Sequence, residues 1–152
     1  MTDHFTSAAE VKSYALAGHA TLTLTSERTG ARYTYRISRT KGADWDGSPR
    51  KLWFVGLLTG PDNESDYEYV GLINGTFKTT HKTRLLANST PLLAFDYFWR
   101  NVEADRMPPE VEVRHCGRCG RCGRKLTVPE SLDTGLGFDC ATMISIPWRK
   151  NA

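Results

Sequence analysis

The chain has 152 residues and a net charge of +3, a length that allows one ordinary domain with a small appendage. Hydrophobic residues make up 39% of the sequence and charged residues 24%, values that exclude a globally disordered chain. No apolar run approaches the roughly 20 residues of a membrane helix, and the first residues lack the pattern of a secretory signal. We therefore expect a cytoplasmic protein with no membrane partner.

Two helices are predicted. Ser7 and Glu10 form a capping-box pattern ahead of a short helix over 11–17. Thr90 as N-cap and Pro91 at the first helical position begin a longer helix that should pack against a sheet. The broad apolar face of this second helix consists of Leu92, Leu93, Phe95, Tyr97, Phe98, Trp99 and Val102.

Between and after the helices, short segments of high β-propensity predict a mostly antiparallel sheet, because their connections are too short for helical crossovers. Asn74-Gly75 is a strong hairpin signal. The apolar run 52–58 predicts a central strand buried on both faces. The predicted strands are 20–26, 32–37, 52–58, 67–73, 76–80 and 110–114. The fold class is thus α+β, with an α+β domain over 1–107 and a small C-terminal subdomain over 108–152.

Trp45 lies in a polar loop over 39–50, between two aspartates. The favoured interpretation is that its ring folds back onto the core. The alternative is an exposed contact residue, since tryptophan is enriched at binding hot spots.

The four cysteines lie in the last quarter of the chain, at Cys116, Cys119, Cys122 and Cys140. Such clustering in a chain without an export signal favours metal over disulfides. A C-x2-C pair with a glycine after each cysteine is typical of a zinc knuckle, here Cys119 and Cys122. Cys140 would complete the site from a short helical turn over 138–143.

The fourth ligand is open between two neighbours. Cys116 would give a four-cysteine site, and its spacing mildly favours it. His115 lies four residues before Cys119 at the end of a predicted strand, from which an imidazole can also reach the metal. Because enough ligands are present to close the coordination sphere, we expect Zn²⁺ to be structural rather than catalytic.

The run CGRCGRKLTVPESLDTGLGFDCA, over 119–141, resembles an uncharacterised zinc-binding domain found in bacteriophage and bacterial mobile-element proteins. Phe138 stands where that family usually has proline. The matching residues are Cys119, Cys122, Arg124, Leu126, Thr127, Pro129, Ser131, Gly135, Gly137, Cys140 and Ala141.

The resemblance bears on the ligand set and on the setting of the protein. Relatives often carry His-x-Gly-Arg before the knuckle, which makes His115 a rival to Cys116. A looser similarity to domains that precede this knuckle covers segments at 15–20, 29–37 and 69–71. The family has no established activity. The resemblance therefore implies a phage or mobile-element protein, located in the host cytoplasm, without implying its function.

A cationic run punctuates the cysteine segment and contains no acidic residue. Its outward-pointing side chains would form a patch suited to phosphates. Contact with a protein and compensation of the negative thiolate charge are the alternatives. The run consists of Arg114, Arg118, Arg121, Arg124 and Lys125.

A second basic stretch covers 78–84, and a solvated loop is its favoured interpretation over a phosphate site. In the first hairpin, Tyr33 and Tyr35 share one face of the strand. Arg32, Thr34 and Arg36 share the other face, which we expect to be solvent-exposed.

The sequence carries no GxSxG, P-loop, HExxH or zinc-deaminase pattern, so we predict a protein that is not an enzyme and has no small-molecule substrate. The first hypothesis is a nucleic-acid-binding protein that uses the arginine-rich knuckle. The second is a protein-binding inhibitor of a host machine such as an antiviral defence complex, with Trp45 as a contact. A hydrolase assembled from scattered residues is a remote third.

Overall fold

The structure is a computed structural model that describes residues 5–43, 45–47, 51–60 and 66–115. These residues form an α+β fold in which two helices lie on one face of a curled, six-stranded antiparallel sheet. The predicted zinc knuckle lies outside the described residues. The elements are α1 (Ala8–Ala15), β1 (His19–Ser26), β2 (Arg32–Arg39), β3 (Trp53–Leu58), β4 (Tyr67–Asn74), β5 (Thr76–Lys78), α2 (Thr90–Glu103) and β6 (Val111–His115).

The strand order is β5-β4-β3-β2-β1-β6, and each neighbouring pair is antiparallel, as predicted. Strands β1 to β5 form a meander. Because β5 and β6 lie at opposite edges of the sheet, the segment containing α2 carries the chain across its full width. Strand β6 belongs to the same sheet as the first hairpin, so the sheet extends to His115.

The core lies between the helices and one face of the sheet, where alternate residues of each strand point inward. Phe95 of α2 is fully buried, with its ring centroid 4.9 Å from those of Tyr35 and Phe77. The Trp99 indole donates a hydrogen bond to the Gly75 carbonyl, 3.2 Å away, and the Tyr35 hydroxyl donates one to the Pro91 carbonyl, 2.6 Å away. These contacts fix α2 over the centre and the β5 edge of the sheet.

The apolar face of α2 is narrower than predicted. Leu92, Phe95, Phe98, Trp99 and Val102 are buried as expected. The prediction that Leu93 and Tyr97 widen this face is wrong, since they are 50% and 44% exposed. Both lie at the edge of the apolar face of α2, where they line a shallow apolar cavity.

The helix starts also differ from the prediction. Ser7 is the N-cap of α1, but its side chain makes no capping hydrogen bond, and the helix ends at Ala15. Ser89, not Thr90, is the N-cap of α2, because its extended backbone precedes the first helical residue. Pro91 lies in the first turn as predicted.

Two strand details differ as well. Strand β5 ends at Lys78, because the following residues turn away to cover β4. In the second hairpin Asn74 pairs with Thr76, so Gly75 alone connects the strands, with a positive φ of 78°. In the part of the chain that is described, no helix is long and apolar enough to cross a membrane.

Candidate nucleic-acid interface

The sheet face opposite the helices, here called the open face, carries polar, basic and aromatic side chains. On β1 and β2 it presents mostly threonine and arginine, and a hydrogen bond of 2.8 Å joins the hydroxyls of Thr23 and Thr34. The prediction that Arg32 and Arg36 lie on this side is confirmed, although Arg36 is half-buried. The open face includes Thr21, Thr23, Thr25, Arg32, Thr34, Arg36, Ser38, Phe54, Gly56, Tyr67, Tyr69, Leu72, Lys78, Glu112 and Arg114.

Three aromatic rings lie together on β3 and β4 of this face. Phe54 is 47% exposed, and its ring meets that of Tyr69 edge to face with 6.0 Å between centroids. The Arg36 guanidinium lies 4.1 Å from the centre of the Tyr67 ring, a cation–π contact. Gly56 lies on β3 between Arg36 and Tyr69, its partners on the two neighbouring strands. A Cβ at Gly56 would be 3.2 Å from the Cβ of Tyr67. The missing side chain therefore leaves space for this ring.

A turn over 79–84 is held against the first half of β4. Because β5 has three residues, it pairs only with the second half of β4 and leaves the first half as an edge. The Thr83 hydroxyl donates to the Val70 carbonyl at 3.0 Å, and the hydroxyls of Tyr69 and Thr80 hydrogen-bond at 3.0 Å. The prediction favoured a solvated loop, but two of its threonines anchor the segment to the sheet.

The turn and β4 enclose a depression of about 750 Å³, here called the Tyr69 groove. Its basic side chains His81, Lys82 and Arg84 are exposed. Glu68 contributes one carboxylate to the same lining, so the groove contains more positive than negative side chains. The lining residues are Tyr67, Glu68, Tyr69, His81, Lys82 and Arg84.

Of the residues in the cationic run, Arg114 is the one that falls within the described part of the chain. It pairs with Thr23 in the sheet and is exposed on the open face, where it forms an ion pair with Glu112. The first residue of the predicted patch thus shares a sheet face with the aromatic rings.

His115 points to the other side of the sheet. Its imidazole is 4% exposed, with ring centroids 5.4 Å from Phe5 and 5.7 Å from Tyr14. The Tyr14 hydroxyl also hydrogen-bonds to the backbone of Thr21, the β1 residue just beyond the last pair with β6. Within the described residues, Tyr14 thus hydrogen-bonds to β1 next to the pair of Leu22 with His115.

The prediction that Trp45 folds onto the core is wrong. The side chain is 99% exposed. Its neighbours are short, polar or glycine residues, which supply too little apolar surface to draw the ring inward.

The remaining predicted site residues lie outside the described residues: Cys116, Cys119, Cys122, Cys140, Arg118, Arg121, Arg124 and Lys125. Among the residues that are described, no three His, Cys, Asp or Glu side chains come together as a metal site.

Sequence reasoning missed Phe54 and Tyr69. The run 52–58 predicted a strand buried on both faces, which is wrong for Phe54, because both helices of the described residues lie on the opposite side of the sheet. Alternation along 67–69 is enough to predict that Tyr67 and Tyr69 lie on one face of the strand. Their meeting with Phe54 and Arg36 depends on strand register, which the sequence does not state.

Comparison with known protein families relates the C-terminal part of the chain to one of them. Residues 109–144 are similar to a family of unknown function, DUF6011. This region begins just before β6 and contains all four cysteines and the cationic run. It is less than half of the chain, and it agrees with the resemblance to an uncharacterised family. No curated protein and no solved structure matches the chain.

Proposed function

We propose that this protein is a non-enzymatic, zinc-containing nucleic-acid-binding protein of a phage or mobile element. The observation that carries the proposal is the position of Arg114. It begins the cationic run on the same sheet face that presents Arg32, Arg36 and Lys78. Basic side chains on one sheet face, followed directly in the sequence by an arginine-rich segment, suit a phosphate backbone.

Zinc is proposed as a structural cofactor of the cysteine segment. Cys119, Cys122 and Cys140 would supply three thiolates. For the fourth ligand we favour Cys116 over His115, because the buried His115 ring already packs against the rings of Phe5 and Tyr14. The metal would hold the cysteine segment in one conformation, and the arginines between the cysteines would contact the nucleic acid.

Binding of zinc-loaded protein to short single- and double-stranded oligonucleotides across a salt series tests this function. If about four phosphates are contacted, log affinity falls with log salt at a slope near −3 to −4. Charge reversal of Arg118 and Arg121 should remove most of the binding and flatten the slope. Absence of binding at ~50 mM salt, where screening is weak, would overturn the proposal.

A second candidate function rests on Trp45. A tryptophan that is 99% exposed suits a protein contact, as expected of an inhibitor of a host antiviral complex. Under this alternative, Trp45→Ala abolishes inhibition of the host complex, whereas reversal of Arg118 and Arg121 leaves inhibition unchanged. The opposite pattern would exclude Trp45 as the contact.

A further inference from the structure

We propose that the open face binds single-stranded nucleic acid, with bases stacking on Phe54 and Tyr69 and the backbone following the Tyr69 groove. This inference rests on the proposed nucleic-acid-binding function and specifies its ligand and its surface. It concerns the sheet itself and not the cysteine segment.

The aromatic rings supply the first argument. A single exposed phenylalanine is unremarkable, but the Phe54 ring contacts that of Tyr69, and Tyr67 lies on the same open face two residues before Tyr69. The edge-to-face contact with Tyr69 limits how the Phe54 ring can tilt. A half-exposed ring held in this way offers a surface on which a base can stack.

The basic residues supply the second argument, because they border the rings. Lys78 pairs with Leu72, which pairs with Phe54, so Lys78 lies in the same cross-strand row as Phe54. Lys82 and Arg84 line the groove beside Tyr69. Cations that border an aromatic cluster match a chain of alternating bases and phosphates.

The anchored turn supplies the third argument. The Tyr69 hydroxyl hydrogen-bonds to Thr80, which also accepts a hydrogen bond from the Lys82 amide at 3.3 Å. One short network therefore fixes both a stacking ring and the turn that carries the cations. Little ordering remains to be done on binding, which favours affinity.

The geometry selects a single strand over a duplex. In a duplex the faces of the bases are stacked on each other, and rings on the surface of a sheet cannot reach them. Unpaired bases can be splayed onto such a surface. A duplex would engage only the basic residues, and it would bind more weakly at equal salt.

Fluorescence anisotropy with labelled decamers, single-stranded and duplex, tests the inference on the full chain loaded with zinc. Phe54→Ala should weaken single-strand binding roughly 5- to 150-fold, the range for loss of one base–aromatic stack. The matched control is Leu93→Ala, a side chain of similar exposure on the helical side, which should leave affinity unchanged. Thermal unfolding of both variants checks that the fold is retained.

The basic groove has its own pair of variants. Lys82→Glu with Arg84→Glu should reduce affinity at least tenfold and lower the magnitude of the salt slope by about 1.4, two phosphate contacts on a single strand. Lys12→Glu on α1, also exposed but on the helical side, is the control for the single variant Lys82→Glu, because both change the net charge by the same amount.

A decamer with central abasic sites separates stacking from charge. Wild-type protein should bind it more weakly than the intact decamer, whereas Phe54→Ala should be weakened less by the abasic sites, because one of the two stacks is already lost and only that on Tyr69 remains. Equal weakening by the abasic sites in both proteins would overturn the stacking assignment.

The failures of the two proposals are distinguishable. If the wild-type protein binds no nucleic acid, the proposed function fails, and this inference fails with it. If binding is lost on reversing Arg118 and Arg121 but is unchanged in Phe54→Ala, only the open-face inference fails. Duplex binding as tight as single-strand binding also overturns it. Loss of binding in Phe54→Ala, with selectivity for the single strand, supports it.

Discussion

The Tyr14 hydroxyl takes the place of a sheet partner for Thr21. It donates a hydrogen bond to the Thr21 carbonyl at 2.7 Å and accepts one from the Thr21 amide at 3.0 Å. Strand β6 pairs with β1 as far as His115 and Leu22, so Thr21 is the next residue along that edge. A side chain of α1 thereby satisfies the backbone of Thr21, next to the last described pair of β1 with β6.

Tyr14→Phe should lower the free energy of unfolding by about 1–3 kcal/mol, because it leaves both backbone groups of Thr21 without this partner. The aromatic packing against Phe5 and His115 is kept, which makes the variant specific for the hydroxyl. Urea unfolding with an unchanged m-value provides the measurement. Tyr33→Phe is the matched control, and a loss as large as that of Tyr14→Phe would contradict the assignment.

The Tyr35 hydroxyl connects β2 to the first turn of α2 through Pro91, and it should make stability depend on pH. Burial raises the pKa of Tyr35 above its ordinary value, and the nearby Tyr33 raises it further. Above pH ~10 the unfolded chain releases a proton that the folded chain keeps. This contribution to stability is therefore complete below pH ~10 and is lost progressively as the pH rises further.

Tyr35→Phe should cost about 1 kcal/mol at pH 7, the net value of one hydrogen bond. Between pH 9 and pH 11, the free energy of unfolding of the wild type should fall by ~1 kcal/mol more than that of Tyr35→Phe, since one pKa unit corresponds to about 1.4 kcal/mol. Unfolding at a series of pH values measures both effects. Parallel curves for the two proteins would show that Tyr35 does not cause the decline.

Gly71 lies in a bulge of β4 where β5 passes closely. A Cβ at this position would collide with the Lys78 carbonyl and lie 2.8 Å from a ring carbon of Phe77. Because one of these neighbours is backbone, Gly71→Ala should destabilise the fold by roughly 1–3 kcal/mol. Gly56→Ala, whose closest contact would be 3.2 Å from the Cβ of Tyr67, should cost less. Thermal unfolding ranks the two, and the reverse order would contradict the packing at β5.

The proposed zinc site predicts about one zinc per chain by metal analysis. Cys140→Ser and Cys116→Ala should each lose the metal, because a structural site needs all four ligands. His115→Ala should keep the metal and lower stability instead, since the imidazole packs on Phe5 and Tyr14. Metal loss in His115→Ala together with retention in Cys116→Ala would reverse the assignment, and a fully folded metal-free chain would exclude structural zinc.

The amino-acid sequence by itself determined the layers of this protein. Alternating apolar residues in 20–26 and 32–37 select strands with one buried face, and the spacing of Phe95, Trp99 and Val102 selects a helix that packs on them. These patterns depend on residues close together in the chain. Short connections then leave antiparallel pairing as the available arrangement.

Only the tertiary structure decided what lies on each face. The meeting of Phe54 with Tyr69 depends on the register of two strands and on the bulge at Val55 and Gly56, which a local pattern does not encode. Strand β6 places Arg114 and His115 on opposite sides of the sheet, because successive side chains alternate and only β1 fixes which side is buried. The open face arises because both described helices pack on the other side of the sheet. Which side they cover depends on contacts between residues far apart in the chain, so no single segment encodes it.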